Sequence, residues 1–278
     1  MKKLLLILFI TTASNICKAQ PKDAKTNEVG FMLGVSNYAG ELNPYNQFSL
    51  LMRPAGGLIY RHAFNRRWAF KTTLLYGSIH GDDARAHNDF QRNRNLNFKS
   101  IIIELSPQFE FNFLPYEVGN PDFPVSPYLF FGLSAFYFNP KGKQNGEWRE
   151  LRPLSTEGQG IVPGKKGYPR FQASFPFGLG LKANIGTNWA FGAEVGLRRT
   201  FTDYLDDVST IYPDKTLLAT AKGGAAVAYS DPSLTQKDFS NDFRQRGNSK
   251  NKDWYSFSGI TFTYLIKKKT AECPAYDF

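Results

Sequence analysis

The sequence predicts an all-β fold: an eight-stranded antiparallel transmembrane β-barrel of the outer-membrane type with long extracellular loops. Three observations predict it. Apolar residues recur with period two over segments as long as Phe171–Ile185, well beyond the roughly 5–6 residues usual for a soluble strand. The connections between such segments alternate between short and long, as barrel turns and outer loops do. Aromatic residues make up 15% of the chain, with 25 Phe, 14 Tyr and 4 Trp, and many fall at strand ends, where a headgroup boundary favours amphipathic rings.

Composition removes the rival classes. The chain has 278 residues, a net charge of +10 and a mean hydropathy of −0.38. A disordered chain lacks so many aromatics, and a bundle of membrane helices is far more apolar. Two cysteines build neither a disulfide scaffold nor a zinc ribbon. A soluble β-sandwich accounts for the alternation but not for the strand lengths or the loop asymmetry.

The elements follow in order. Lys2 and Lys3, the apolar run Leu4–Ile10 and the small residues Cys17 and Ala19 form a signal peptide over 1–19. Its removal takes Lys2, Lys3 and Lys18 and no acid, lowering the net charge of +10 by three and leaving Cys273 alone. A short periplasmic segment, 20–27, precedes a barrel over 28–266, and a periplasmic tail, 267–278, closes the chain. In strand one, Val29, Phe31, Leu33 and Val35 alternate with Gly30, Met32, Gly34 and Ser36. Strand two lies within Ala55–Phe64, and strand three carries Trp68, Phe70, Leu74 and Tyr76 on one face. Strand four, Lys99–Phe113, puts Ile101, Ile103, Leu105, Phe109 and Phe111 opposite Glu104, Gln108 and Glu110, with Ile102 breaking the pattern. Strand five, Tyr128–Phe138, is apolar on both sides, with Gly132 and Ser134 marking its smaller face. Strands six, seven and eight are Phe171–Ile185, Trp189–Arg199 and Trp254–Ile266. With both ends in the periplasm, the longest connections fall outside the cell, and Leu114–Val125 is the one inner turn longer than expected.

Parity assigns an inward set: Arg61, Lys71, Glu104, Gln108, Glu110, Lys182, Glu194 and Arg198. Eight strands enclose a space just filled by side chains, so these residues read as a mutually neutralising plug in preference to a gated path. Aromatics at strand ends read as two girdles, with Tyr116 and Tyr128 on the inner side and Tyr38, Tyr168 and Tyr255 on the outer.

Motifs for chemistry are sparse. His62, His80 and His87 make no H-E-x-x-H pair. No G-x-S-x-G elbow occurs, and the glycines of 158–164 lack phosphate-loop spacing. The expectation is a protein that is not an enzyme, with no catalytic residue, no metal site and no cofactor. Basic groups fall on both sides of the expected membrane, so nucleic acid is not an expected partner, nor is a small-molecule substrate. The segment Arg198–Ser209 puts Asp203, Asp206 and Asp207 beside Arg198 and Arg199. Its acids lack an identifiable calcium-loop spacing, and it reads as a structural pin for the longest outer loop.

That same segment, with Arg199, Thr200, Phe201, Thr202, Asp203, Tyr204, Asp206 and Asp207, resembles a signature of a Bacteroidetes outer-membrane barrel family, that of the type IX secretion component PorG. Two further stretches agree: Gly34–Leu42, with Asn37, Tyr38, Gly40 and Glu41 at the exit of strand one, and Asp253–Thr261 opening strand eight. The resemblance runs through the mature chain in order. It implies a non-enzymatic barrel at the cell outer membrane, embedded in outer-membrane lipid and docking a periplasmic ring of PorK and PorN. It also implies a part in protein secretion and, in some bacteria, in gliding motility. On that implication the partner-binding residues are periplasmic: Tyr116, Lys267, Lys268, Lys269 and Cys273. The competing expectation is a surface adhesin or receptor acting through the long loops.

Overall fold

The computed structural model describes residues 25–43, 52–235 and 240–266. The expected signal peptide, most of segment 20–27 and the tail 267–278, with Lys267, Lys268, Lys269 and Cys273, lie outside the described residues. Ten strands are present among them: β1 (Thr26–Ala39), β2 (Arg53–Ala63), β3 (Trp68–Asp82), β4 (Asn97–Asn112), β5 (Val125–Gly132), β6 (Ser134–Gln144), β7 (Glu147–Glu150), β8 (Phe171–Ile185), β9 (Trp189–Thr200) and β10 (Trp254–Ile266). Every pairing is antiparallel. The order β3-β2-β1-β10-β9-β8 continues through β5 and β6 to β4, which pairs back onto β3. The sheet therefore closes and leaves no free edge in the membrane.

The ring has eight staves because β5 and β6 are one stave in two pieces. Both keep a single register against β4 and against β8. The break falls at Leu133, whose N–H donates to the Pro107 carbonyl at 3.3 Å. Pro107 has no N–H to return the bond, and the continued register sets Gly132 opposite Pro176 on the other neighbour. Two prolines, one on each flank, thus remove ladder bonds at the same height.

The inward and outward faces follow parity. In β4 every even residue from Phe98 to Asn112 is buried, Ile102 included, and the odd ones are mostly exposed. The outward face carries Phe31, Leu33, Leu58, Leu74, Ile103, Leu105, Phe109, Leu179, Leu181, Val195 and Ile260 at the surface. Such a belt is costly in water and favourable in lipid. Among the described residues no helix is long and apolar enough to cross a membrane; the chain crosses with strands. It is a barrel of the outer-membrane type.

Several strands outrun their expected limits. β1 starts at Thr26, and β3 continues through His80 to Asp82. The 15 residues of β3 run roughly 50 Å along the strand, or about 36–42 Å along the barrel axis at a tilt of about 35–45°, more than the apolar band of about 25 Å, so the outer ends stand clear of the membrane. There β6 turns through Asn145 (φ 49°) and Gly146 (φ +85°) into β7. That is the Asn-Gly geometry of a tight hairpin, inside a segment expected to be loop. Three short helices complete the outer cap: α1 (Asp89–Arg94), α2 (Lys215–Lys222) and α3 (Gly224–Ser230). Asn88 caps α1, and the Asp214 carboxylate caps α2 by accepting from the Leu217 N–H at 2.9 Å.

The girdle assignment needs correction. Trp68, Phe113, Trp189 and Tyr264 do sit outward at the inner rim, exposed. Tyr128, Tyr38, Tyr168 and Tyr255 are buried inside the barrel or its cap. Tyr128 and Phe130 have room to point inward from β5 because the neighbouring strands β8 and β9 carry glycine. A Cβ on Gly180 would sit 2.3 Å from Tyr128 Cζ, and one on Gly196 would sit 2.7 Å from Phe130 Cζ. The rings occupy volume that the glycines leave vacant.

Candidate functional site

The inner half of the lumen holds a closed charge network. Arg61 donates to Glu28 at 2.8 Å and to Glu110 at 3.2 Å. Lys182 binds the other oxygen of Glu110, and Lys71 binds Glu194. The Tyr128 hydroxyl donates to Glu194 at 2.8 Å, and the Thr263 hydroxyl donates to Glu28 at 2.7 Å. One layer further out, Arg198 pairs with Glu104 at 3.2 Å, and Tyr255 donates to the same carboxylate at 2.6 Å. All seven expected ions are brought together, and Glu28 joins them. It equalises the set: Arg61, Lys71, Lys182 and Arg198 against Glu28, Glu104, Glu110 and Glu194. A balanced, hydrogen-bonded set is the condition under which buried charge is tolerated.

The ends of the lumen are also filled. Toward the cell surface Met32, Leu75, Ile102, Phe136, Phe138 and Phe257 form one continuous apolar cluster with Tyr38, Phe98 and Tyr255. At the periplasmic mouth the long inner turn folds back over the opening. The Tyr116 N–H donates to the Arg66 carbonyl at 3.0 Å, and Asn184 donates to the Glu117 and Asn120 carbonyls. Tyr116 was expected on a partner-facing surface; it is buried, with Lys182 Nζ 4.6 Å from its ring centre. The extra length of Leu114–Val125 is used as an inner lid, and Tyr116 is its stopper.

The three motif stretches, far apart in sequence, meet at the outer end of the barrel. Asn37 and Tyr38 are buried at the end of β1. The Tyr38 hydroxyl lies 2.6 Å from Asp206 and 3.1 Å from Asp253. Gly40 passes so close that a Cβ there would sit 2.1 Å from the Tyr38 hydroxyl and 2.2 Å from the Asp253 carboxylate. Carboxylate oxygens of Glu41, Asp203 and Asp253 lie within 4.8 Å of one another. The Leu205 N–H donates to Asp253 at 2.9 Å, and the Val208 N–H donates to Asp206 at 2.9 Å. Burial pushes the Glu41, Asp206 and Asp253 carboxyls up, with repulsion from neighbouring acids adding to it at Asp206 and Asp253, and burial pushes Asp203 to about 7. Thr200 closes the strand by donating to the Thr202 and Asp253 carbonyls at 2.8 Å. The Thr202 hydroxyl accepts from the Tyr204 N–H. Arg199 and Phe201 face outward, Arg199 6.0 Å from the Trp254 ring.

A second node pins the outer loop. Glu157 accepts from Ser209 N–H at 2.8 Å and from Arg246 at 3.1 Å. Asp207, in the left-handed region at φ 68°, accepts from the Tyr168 hydroxyl at 2.7 Å and from Thr156. Tyr204 stacks on Tyr168 with ring centres 4.7 Å apart. Arg94 forks onto Asp83 at 2.7 and 2.9 Å. Glu157, Arg246, Arg94 and Asp83 are absent from the sequence-predicted set. Glu157 and Arg246 come from separate loops, and Asp83 and Arg94 stand at the two ends of the β3–β4 loop, so no local period marks them. Between α1 and the 245–252 segment lies an open cleft of about 760 Å³, walled by Glu41, Arg94, Arg199, Lys250, Lys252 and Trp254.

Comparison with known proteins adds a family. The profile of a domain of unknown function, DUF6089, matches residues 2–225. The chain belongs to that family. Solved structures similar to this DUF6089 barrel include Ail, the attachment invasion locus protein of Yersinia pestis, in complex with the heparin analogue sucrose octasulfate. The identity is 12% over 87% of this chain and 97% of that one, with a TM-score of 0.38. OprG from Pseudomonas aeruginosa matches at 10% identity over 88% of this chain and 98% of that one, TM-score 0.38. Neisserial surface protein A matches at 9% over 87% and 97%, TM-score 0.37. No curated protein matches the chain. The barrel assignment of this DUF6089 member rests on its own closed register and apolar belt.

Proposed function

We propose that the chain is a closed anchoring barrel, a non-enzymatic outer-membrane component that docks a periplasmic PorK/PorN-type ring of the type IX secretion machinery. The observation that carries the anchoring role is the filled lumen: a neutral ion network inside, an aromatic layer outside, and a folded segment over each mouth. A conduit needs a continuous path, whereas an anchor benefits from rigidity. The docking role rests on the motif resemblance. The periplasmic surface for it comprises the turn Asn65–Arg67, the exposed side of Leu114–Val125 and the tail 267–278, with Lys267, Lys268, Lys269 and Cys273.

The test is affinity capture of the tagged full-length chain from native envelopes. Co-recovery of ring lipoproteins, lost on removal of Thr270–Phe278, supports docking through the tail. Capture without ring proteins overturns the docking role. A second reading, an outward receptor for an anionic ligand, is favoured by the basic wall of the outer cleft, with Arg199, Lys250 and Lys252. Replacing Lys250 and Lys252 by Glu leaves secretion intact under the docking role and abolishes surface binding under the receptor role.

A further inference from the structure

We propose that Glu41, Asp203 and Asp253 bind a calcium-sized divalent cation that ties the exit of β1 to the β9–β10 loop. Four observations carry it.

The first is spacing. One carboxylate oxygen from each residue lies within 4.8 Å of the other two. Oxygens bound to one Ca²⁺ at about 2.4 Å lie at most about 4.8 Å apart, so a single cation can reach all three. The second is the state of Asp203. It is 3% exposed, and neither of its oxygens accepts a hydrogen bond within 3.5 Å. The Ser209 side chain lies beside it. Glu41 Oε2 is likewise buried and accepts from no N–H or hydroxyl within 3.5 Å; its side-chain neighbour is the Asp253 carboxyl. Such oxygens are costly to bury unless something positive faces them. The neighbouring oxygens are already held: Glu41 Oε1 by the Asn248 N–H at 3.2 Å, and Asp253 Oδ2 by Leu205.

The third is charge. Asp206 is a fourth acid at the same place, and the Tyr38 hydroxyl, with one proton, faces both Asp206 and Asp253. The cations that act on these acids are Lys252, on Asp203, and Arg94, which is itself committed to Asp83 and to the carbonyls of Glu41 and Arg246. Four acids thus face two cations, and one dication makes up the difference. The fourth is access and chemistry. Glu41 lines the open outer cleft, which gives an ion a way in. All donors are carboxylate oxygens, with no His or Cys among them, which selects a hard cation. Gly40 keeps the cradle open, since a side chain there would collide with Tyr38 and Asp253.

The test is titration calorimetry of the full chain, refolded into lipopolysaccharide-free detergent micelles, against CaCl₂ and then MgCl₂. The expected result is one Ca²⁺ site with a dissociation constant on the order of 10⁻⁵–10⁻³ M, weaker Mg²⁺ binding, and a melting temperature that rises with Ca²⁺ and falls back with chelator. Asp203→Asn weakens Ca²⁺ binding at least tenfold while the protein still migrates as a folded, heat-modifiable barrel. If that variant does not fold, Glu41→Gln at the cleft wall supplies the same comparison. Absence of Ca²⁺ binding at millimolar concentration, Mg²⁺ binding as tight as Ca²⁺, or unchanged affinity in both variants overturns the proposal.

Discussion

Glu110→Gln is the sharpest probe of the lumen. Glu110 is fully buried and accepts from Arg61 at 3.2 Å and from Lys182, with Lys71 Nζ at 4.0 Å. Neutralising it leaves three cations in the inner layer facing only Glu28 and Glu194. Breaking a buried pair by removing one partner costs about 3–5 kcal/mol, because an uncompensated charge is left behind. Gln keeps an acceptor for one of the donors, which sets the expectation at the lower end, about 3 kcal/mol. With a urea slope of about 3 kcal/mol per molar, the unfolding midpoint falls by about 1 M. Removing Lys182 as well, as Glu110→Gln with Lys182→Met, takes away a donor and a charge together. The double variant should then recover at least 1 kcal/mol relative to the sum of the singles. The assay is urea unfolding of the refolded barrel in detergent, followed by tryptophan fluorescence. A single variant within about 0.5 kcal/mol of wild type, or strictly additive losses in the double, would refute the view that the plug is held by coupled ion pairs.

Other predictions concern the outer cap. Gly40→Ala forces Tyr38 or Asp253 aside and costs about 1–3 kcal/mol as overpacking, read as a lower melting temperature. Arg246→Met strips Glu157 and Asp207 of their buried cation; the 200–253 loop should become cleavable by added protease while the barrel keeps its heat-modifiable migration. Burial raises the Asp207 carboxyl to about 6 against the pull of Arg246. A raised folded pKa means that the native cap holds a proton the unfolded chain has released. Its stability therefore falls as pH climbs from about 4 to about 6, by up to about 3 kcal/mol. Across that window the decline in melting temperature should be shallower in Asp207→Asn than in wild type.

Much of the barrel was legible because a membrane β-strand writes its environment into residue parity. Lys71, Glu104, Glu110, Lys182, Glu194 and Arg198 all sit opposite apolar neighbours at odd-even spacing, and each lies in the lumen as expected. Glu28 escaped because it precedes the first apolar residue of strand one; extending the alternation by one residue would have found it and the charge balance with it. The hairpin signal Asn145-Gly146 was present in the sequence but lay inside a segment read as loop. Tyr116, Tyr128, Tyr38 and Tyr255 were assigned outward because an aromatic at a strand end suits an interface. Their true direction depends on glycines on neighbouring strands and on a folded inner turn, which are relations between distant parts of the sequence. The outer cap was the least legible part. Glu157 and Arg246 meet across 89 positions, and no local period links them.

Conductance of the purified chain in a planar lipid bilayer tests the central claim, a barrel closed along its length, most directly. A plugged barrel predicts insertion, verified by heat-modifiable migration of the recovered protein, without stable current steps above the bilayer baseline. Reproducible open-channel steps from the wild-type chain would contradict it.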